Sequence, residues 1–329
     1  MKAILNYLFE NRSFTKEESK NILINMARGQ YNQSQMAAFI TAYCMRSSTV
    51  DELEGFRDAL LEMCLPVDLE TENLIDLCGT GGDGKDTFNI STLASFVVAG
   101  AGYPVAKHGN YGVSSGSGSS NVMEYLGYRF TSNQDQLKKN IATAGICFLH
   151  APLFNPAMKI IAPIRKELAV KTFFNMLGPM VNPAKPKNQM VGVFSLELAR
   201  VYNYLYQKTD KNYTVVHALD GYDEISLTGG FKTFSNAGEQ VYQLKDLGFA
   251  RLDPAQISSG HTVPEAAAVF TNVLNNTATA AQTTVVLCNA AMAIKTSCPE
   301  KSFAACFDEA NVSFQNKKAL NSFKLLLQN

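Results

Sequence analysis

The first 65 residues carry apolar positions at helical spacing. After Thr49, apolar residues recur every three or four positions, which places them on one face of a helix. Thr49 with Glu52, and earlier Thr15 with Glu18, form capping-box pairs whose side chains satisfy the free amides at a helix start. A third, mostly apolar segment covers residues 36–45. This part of the chain is therefore predicted to be entirely helical.

Beyond Pro66, short apolar runs of strand length alternate with longer runs at helical spacing. Residues 74–78 are the first strand candidate and lead directly into a group of glycines. Strands that alternate with helices of this length favour a mainly parallel sheet that is covered on both faces. The other predictions here are strands at 104–106, 146–149, 190–194 and 213–219, and helices at 92–101, 118–126, 196–206 and 265–274.

These patterns predict an α/β protein with two domains. Residues 1–67 form a small all-helical domain, and a further helical piece, residues 163–186, is inserted back into it. Residues 68–162 and 187–329 form the larger α/β domain around the mainly parallel sheet. A chain of 329 residues, of which 46% are hydrophobic, is long enough to bury a sizeable core.

Charge and cysteine content exclude several classes of function. The 29 basic and 29 acidic residues cancel, so no overall field attracts nucleic acid or an anionic membrane, and a phosphate ligand must be held locally. No apolar run approaches the roughly 20 residues that cross a bilayer, and the N-terminus lacks the features of a signal peptide. Seven scattered cysteines without a CxxC pair are typical of reduced thiols in a cytoplasmic protein.

Residues 79–85, Gly-Thr-Gly-Gly-Asp-Gly-Lys, lie between a predicted strand and a predicted helix. Glycine lets the backbone approach a ligand closely, and a helix N-terminus presents amides with partial positive charge, so this turn is suited to phosphate. A structural tight turn is the alternative. Four glycines within six residues favour the phosphate site.

Two common nucleotide motifs fit this turn only in part. Gly79, Gly81 and Gly84 satisfy GxGxxG, but about 20 residues later no acidic residue follows to bind a ribose. Residues 79–85 also satisfy GxxxxGK, but Asp86 follows where a P-loop requires Ser or Thr to hold Mg²⁺. Neither a nicotinamide site nor a P-loop is predicted.

Four segments together resemble the anthranilate phosphoribosyltransferase family, and they occur in the family's order. The resemblance implies a fold similar to nucleoside phosphorylases and phosphoribosyltransferases. It also implies transfer of the phosphoribosyl group of 5-phosphoribosyl 1-diphosphate (PRPP) to the amine of anthranilate, in tryptophan biosynthesis. The segments are Gly79–Gly84 with Thr87–Thr92; Lys107–Asn110 with Ser114, Ser115, Gly118 and Ser119; Phe174–Pro179 with Asn182 and Pro183; and Asp223 with Glu224.

The first two of these segments are the PRPP loops that the resemblance implies. Lys107 can supply a point charge, and the hydroxyl and amide side chains can supply neutral donors to phosphate oxygens. A flexible linker is the alternative for the serine-rich stretch, but its position between a strand and a helix disfavours this. The residues assigned to PRPP are Gly79, Gly82, Asp83, Thr87, Asn89, Ile90, Ser91, Thr92, Lys107, His108, Gly109, Asn110, Tyr111, Gly112, Val113, Ser114, Ser115 and Ser119.

The acidic pair Asp223 and Glu224 follows a predicted strand. Such a pair is usually part of a solvated loop, but Mg²⁺ prefers oxygen ligands and commonly bridges a carboxylate to substrate phosphates. The resemblance implies two Mg²⁺ ions, held by Asp223, Glu224 and the hydroxyl of Ser91. Diphosphate departure then passes through an oxocarbenium-like state. No general base is assigned, because the aromatic amine of anthranilate is already neutral at pH 7.

Arg165 is the residue we expect to pair with the carboxylate of anthranilate, because a guanidinium fork matches a carboxylate in geometry and charge. A solvent-exposed surface helix is the alternative for Arg165. The resemblance implies Asn110 and Gly79 as the other anthranilate contacts.

The sequence departs from the family pattern near the acceptor residues. Tyr111 and Lys171 stand where many members have arginine, Asn155 where histidine is common, and Ala169 where glycine is common. Residues 120–121 are Ser-Asn instead of the more usual Ala-Asp. These departures concern acceptor binding more than the diphosphate site.

The resemblance further implies a homodimer formed through the helical domain. Two alternatives for the function stay open. A pyrimidine nucleoside phosphorylase has the same general fold, but residues 87–92 and the acidic pair favour a diphosphate substrate. A non-enzymatic nucleic-acid-binding relative should carry excess positive charge, which the zero net charge disfavours.

Overall fold

The computed structural model describes residues 1–112 and 117–328, which belong to two compact units. The helical unit comprises Met1–Val67 and Ala151–Lys185, and the α/β unit comprises Asp68–His150 and Pro186–Asn329. Among the described residues, no helix combines the length and the apolar character needed to span a bilayer.

The helices alternate with strands only in the α/β unit. The helices are α1 (Lys2–Phe9), α2 (Lys16–Ala27), α3 (Gln33–Met45), α4 (Val50–Met63), α5 (Ile90–Gly100), α6 (Ser119–Tyr125), α7 (Gln134–Ala144), α8 (Ala151–Phe154), α9 (Met158–Leu168), α10 (Phe174–Leu177), α11 (Leu196–Gln207), α12 (Val263–Leu274), α13 (Ala280–Ser297), α14 (Phe303–Gln315) and α15 (Lys318–Gln328). The strands are β1 (Ile75–Gly79), β2 (Val105–Gly109), β3 (Ile146–His150), β4 (Asn188–Gly192), β5 (Asn212–Ala218), β6 (Phe231–Ser235) and β7 (Gly238–Tyr242).

Both predicted capping boxes are present in the helical unit. Thr15 caps α2, and its N–H donates to the carboxylate of Glu18 at 2.9 Å. Thr49 caps α4 in the same way through Glu52. These contacts lie within four residues of each other along the chain, so local sequence is sufficient to specify them.

The segment that returns to the helical unit begins at Ala151, and the predicted start at residue 163 is wrong. Strand β3 ends at His150, and the chain then enters α8 and α9. Helix α9 buries Ile161 and Ile164 and packs against α2 and α3. Further along, the ring of Phe173 stacks on Phe56 at 4.5 Å. Burial of these apolar side chains is what joins the segment to the unit.

The sheet of the α/β unit has the order β3-β2-β1-β4-β5-β6-β7. Strands β1 to β5 run parallel to one another, which confirms the predicted mainly parallel sheet. The antiparallel hairpin β6–β7 was not predicted. Helices α5 and α13 pack together in the core, where 9 of the 11 residues of α5 and 12 of the 18 residues of α13 are buried.

Three neighbouring strands, β2, β1 and β4, each end in glycine at the same edge of the sheet. Gly79 and Gly192 are register partners on β1 and β4, and Gly109 ends β2. In a parallel sheet the carboxyl ends of the strands form the customary ligand-binding edge. At this edge the sheet therefore presents no side chains at the last positions of β2, β1 and β4.

Candidate active site

Asp223 occupies the space left by two of the strand-end glycines. A Cβ atom added to Gly79 would lie 2.3 Å from Oδ2 of Asp223. A Cβ atom added to Gly192 would lie 1.6 Å from the backbone oxygen of Asp223. Since real Cβ contacts do not approach 3.0 Å, both positions require glycine for Asp223 to sit here.

The glycine-rich turn wraps around the same carboxylate. Gly81, Gly82 and Gly84 all adopt positive φ angles, between 68° and 80°, which side chains other than glycine rarely adopt. The N–H of Gly81 donates to Oδ2 of Asp223 at 2.6 Å. The turn therefore needs its glycines for backbone conformation and binds the acidic pair through a backbone amide.

The N-terminus of α5 holds the second carboxylate of the pair. The N–H of Ser91 donates to Oε1 of Glu224 at 3.2 Å. The positive end of the helix dipole stabilises a negative charge at this point. The structure thus brings together the three predicted metal-binding residues, Ser91, Asp223 and Glu224.

The acidic pair is short of positive charge. Burial raises the pKa of Asp223 well above its ordinary value, and the nearby carboxylates of Glu224 and Asp83 raise it further. Burial also raises the pKa of Glu224 to about 7, although Lys107 and Ser91 oppose the shift. In addition, Oδ2 of Asp83 is buried without a hydrogen-bond partner. A cation at this position would compensate the charge.

The donor set fits Mg²⁺ that is only partly coordinated by protein. Among residues 1–112 and 117–328, no group of three or more His, Cys, Asp and Glu side chains could hold a metal on its own. Mg²⁺ usually keeps several waters and binds through one or two carboxylates together with substrate phosphates. The pair Asp223–Glu224 and the orphaned oxygen of Asp83 match this mode.

Lys107 and His108 lie within β2, which ends at Gly109, three residues beyond its predicted end at residue 106. Lys107 is 2% exposed, and its ammonium group donates to the carbonyl of Leu77 at 2.6 Å. Its charge lowers the pKa of Glu224 and so opposes the effect of burial. The backbone N–H of His108 donates to the buried carboxylate of Asp76 at 3.1 Å.

The two predicted PRPP loops contact each other. Nδ2 of Asn89 donates to the backbone oxygen of Ser117 at 3.0 Å, and Oδ1 of Asn89 is buried without a partner. The side chains of Ile90 and Thr92 are buried. Thr87 forms an isolated antiparallel bridge with Ser258.

Asn121, which sequence reasoning did not assign to the site, joins the two ends of the second loop. Its Oδ1 accepts from the N–H of Gly112 at 2.9 Å and from the N–H of Gly118 at 3.0 Å. Nearby, the hydroxyl of Ser119 donates to the carbonyl of Asn110 at 3.3 Å, and the hydroxyl of Tyr111 donates to Glu124. The predicted contacts Val113, Ser114 and Ser115 lie outside the described residues.

Arg165 belongs to the helical unit, on α9. Its guanidinium donates to Oδ1 of Asn175 at 3.2 Å and lies over the ring of Phe174. Burial lowers the pKa of Arg165. In the described part of the chain no carboxylate forms an ion pair with it, which leaves the charge available for an anionic ligand.

Comparison with known proteins accounts for both units. Residues 71–320 match the glycosyl transferase family a/b domain, and residues 2–64 match the glycosyl transferase family helical bundle domain. The chain is 59% identical to anthranilate phosphoribosyltransferase of Christiangramia forsetii over 329 residues, which are 99% of this chain and 98% of that relative. The chain belongs to the anthranilate phosphoribosyltransferase family.

Solved members of the anthranilate phosphoribosyltransferase family have the same fold. The Thermus thermophilus enzyme superposes with a TM-score of 0.91 at 28% identity, over 98% of each chain. The Saccharomyces cerevisiae enzyme in complex with PRPP and Mg superposes with a TM-score of 0.89 at 24% identity, over 98% of this chain and 96% of that one.

Family membership confirms the predicted fold class and the predicted function. The chain is an enzyme of the glycosyltransferase class, an anthranilate phosphoribosyltransferase of tryptophan biosynthesis.

Proposed function

We propose that the chain carries out phosphoribosyl transfer to anthranilate at the glycine-lined edge of its sheet, with Mg²⁺ held at Asp223 and Glu224. The observation that carries this assignment is the buried acidic pair itself. Its two carboxylates receive backbone N–H groups from Gly81 and Ser91 and are otherwise short of positive charge. The yeast family member in complex with PRPP and Mg supports the choice of metal and donor substrate.

Mg²⁺ would supply the positive charge that stabilises the departing diphosphate. Two ions per site, held by Asp223, Glu224 and the hydroxyl of Ser91, are part of this proposal. Oδ2 of Asp83, which is buried without a hydrogen-bond partner, is a further oxygen in the cluster of Asp83, Asp223 and Glu224.

The phosphate groups of PRPP are proposed to bind the two loops that Asn89 and Ser117 link. Backbone amides at the start of α5 and around the glycine-rich turn provide donors with partial positive charge. Lys107 contributes through its charge close to Glu224, since its ammonium group is buried. The other proposed contacts are Gly79, Gly82, Asp83, Thr87, Ile90, Ser91, Thr92, His108, Gly109, Asn110, Tyr111, Gly112, Val113, Ser114, Ser115 and Ser119.

The reaction breaks the bond between the anomeric carbon and the diphosphate oxygen and forms a bond to the amine nitrogen of anthranilate. The electron pair of the broken bond leaves with the diphosphate, and the proton that the amine nitrogen loses passes to solvent water. A fixed set of backbone and side-chain donors stabilises the charge that develops on the leaving group without reorganising. Because the amine is already neutral at pH 7, a strong general base is not required.

Arg165 is proposed to bind the carboxylate of anthranilate, with Asn110 and Gly79 as further contacts. A guanidinium that is partly buried and has no ion-pair partner among the described residues is a favourable partner for a carboxylate. The hydrogen bond to Asn175 and the ring of Phe174 orient it before the ligand arrives.

We also propose a cytoplasmic enzyme that forms a homodimer through the helical unit. All seven cysteines are free thiols, as expected in a reducing compartment. The helical unit exposes large apolar side chains, among them Phe9 at 66% and Met45 at 84% exposure. Their burial in a second copy would stabilise a dimer, and sedimentation at micromolar concentration tests this.

The decisive experiment follows the loss of anthranilate fluorescence with PRPP and Mg²⁺. The parent chain should consume anthranilate, and Glu224→Ala should reduce the rate by at least about 100-fold. Glu239→Ala removes a carboxylate from β7 and is the matched control, which should keep the parent rate. An active Glu224→Ala variant would remove the metal assignment, and base release from thymidine with phosphate would favour a nucleoside phosphorylase.

A further inference from the structure

A buried asparagine on α13 contacts the chain next to the acidic pair. Asn289 is 0% exposed and stands in an otherwise apolar stretch of α13, residues 285–294. Its Nδ2 donates to the carbonyl of Ile225 at 2.9 Å, and its Oδ1 accepts from the N–H of Ile225 at 3.1 Å. One carboxamide thus satisfies both backbone groups of the residue that follows Glu224.

These two hydrogen bonds take the place of the backbone hydrogen bonds that a neighbouring strand would form with Ile225. The chain between β5 and β6, residues 219–230, forms no strand, yet Ile225 is fully buried. Buried backbone N–H and C=O groups require partners, and a carboxamide offers a donor and an acceptor at the spacing of a backbone peptide group. A third hydrogen bond, from Nδ2 to the carbonyl of Val285 at 2.9 Å, fixes the asparagine on its own helix.

Glu224 is therefore held from two sides by helices that pack on each other. The N–H of Ser91 on α5 contacts its carboxylate, and Asn289 on α13 contacts the backbone that follows it. Helices α5 and α13 are in direct contact with each other. The backbone of Asp223 is in turn confined by Gly192.

We propose that Asn289 is a positioning residue of the metal site, which fixes the backbone at Ile225 and so directs the Glu224 carboxylate. This inference rests on the proposed metal role of Glu224. In this proposal Asn289 binds neither substrate nor metal and acts through the orientation of a metal ligand. Such supporting contacts typically change metal affinity by about 10-fold to 100-fold.

The test compares the Mg²⁺ dependence of Asn289→Ala with that of a matched buried variant. In Asn289→Ala, the Mg²⁺ concentration for half-maximal rate should rise by about 10-fold or more. Thr296→Val is the control, because Thr296 is 3% exposed on the same helix and its hydroxyl bonds to Thr214 and Met292. Thr296→Val should lower the melting temperature and leave the Mg²⁺ dependence unchanged.

Mn²⁺ binding, measured by electron paramagnetic resonance with PRPP present, provides a readout independent of turnover and should weaken by the same factor. A parent-like Mg²⁺ and Mn²⁺ dependence in Asn289→Ala overturns the inference, as does an equal shift in Thr296→Val. If Asn289→Ala does not fold, Asn289→Asp is used instead, because it keeps the size and the acceptor but loses the donor to Ile225. A parent-like metal dependence in Asn289→Asp would also overturn the inference. An inactive parent chain would instead overturn the proposed function.

Discussion

Gly192→Ala is the substitution that most directly tests how the acidic pair is seated. Gly192 ends β4 beside Gly79, and the added methyl group would lie 1.6 Å from the backbone oxygen of Asp223 and 2.5 Å from its carbonyl carbon. The methyl group points at backbone, which cannot rotate away as a flexible side chain can. The segment carrying Asp223 and Glu224 must therefore move.

The size of the movement follows from the contact distances. Ordinary contact begins near 3.4 Å, so the carbonyl has to retreat by about 2 Å. Overpacking of this kind costs about 1–3 kcal/mol of folding free energy. A displacement of about 1 Å at a catalytic group already lowers the rate by about 100-fold, so we expect at least that loss in kcat.

The assay measures anthranilate consumption against Mg²⁺ concentration and thermal unfolding of the same samples. Gly178→Ala is the control, since Gly178 has a helical φ of −46° and no atom within 4 Å of an added Cβ. If Gly192→Ala does not fold, Gly79→Ala is tested instead. The methyl group at residue 79 meets the side chain of Asp223, which can rotate away. Parent-like rates and Mg²⁺ dependence in both strand-end variants would refute this account of the site.

Three further predictions concern individual side chains. Arg165→Lys keeps the charge but loses the fork, so the KM for anthranilate should rise about 10-fold while the KM for PRPP stays constant in steady-state kinetics. For Glu52, burial acts to raise the pKa, but hydrogen bonds from Arg46, Thr49 and Phe14 hold it below the ordinary value. Glu52→Gln should therefore cost about 3 kcal/mol in urea unfolding at pH 7, a difference that disappears as the pH falls through the lowered pKa. Without divalent metal, the parent should lose stability as the pH rises from 4.5 through about 7, because the folded state keeps the Glu224 carboxyl protonated. Thermal unfolding of Glu224→Gln in EDTA should show a smaller loss, and an equal pH dependence in parent and variant would contradict the assignment.

Local features of the fold could be predicted from the sequence. The capping boxes at Thr15 and Thr49 depend on residues three positions apart, and both are present. The alternation of strands and helices gave the parallel sheet. By contrast, the extent of β2 depends on pairing with β3, in which Lys107 lies opposite Phe148. Sequence alone placed Lys107 in a loop, whereas the longer strand buries it.

The supports of the site could not be predicted, because they depend on contacts that are distant in sequence. Gly192 is required only because Asp223 passes over it, and no local motif marks it. Asn289 reaches Ile225 across 64 positions, although an asparagine within an apolar helix is a signal that could have been followed. Asn121 serves the second loop through two backbone amides, which the Ser-Asn dipeptide did not indicate.

The glycines that end β2, β1 and β4 shape one edge of the sheet but supply no side chain for the reaction of this enzyme. Because Gly109, Gly79 and Gly192 carry no side chains, the functional groups come from Lys107 and His108 within β2, from the segments that follow the strands and from the helix ends around them. Redesign toward another aromatic amine should therefore change residues of the connecting segments and keep the glycines at the strand ends. Any larger residue at Gly79 or Gly192 would instead dislodge Asp223 before it could meet a substrate.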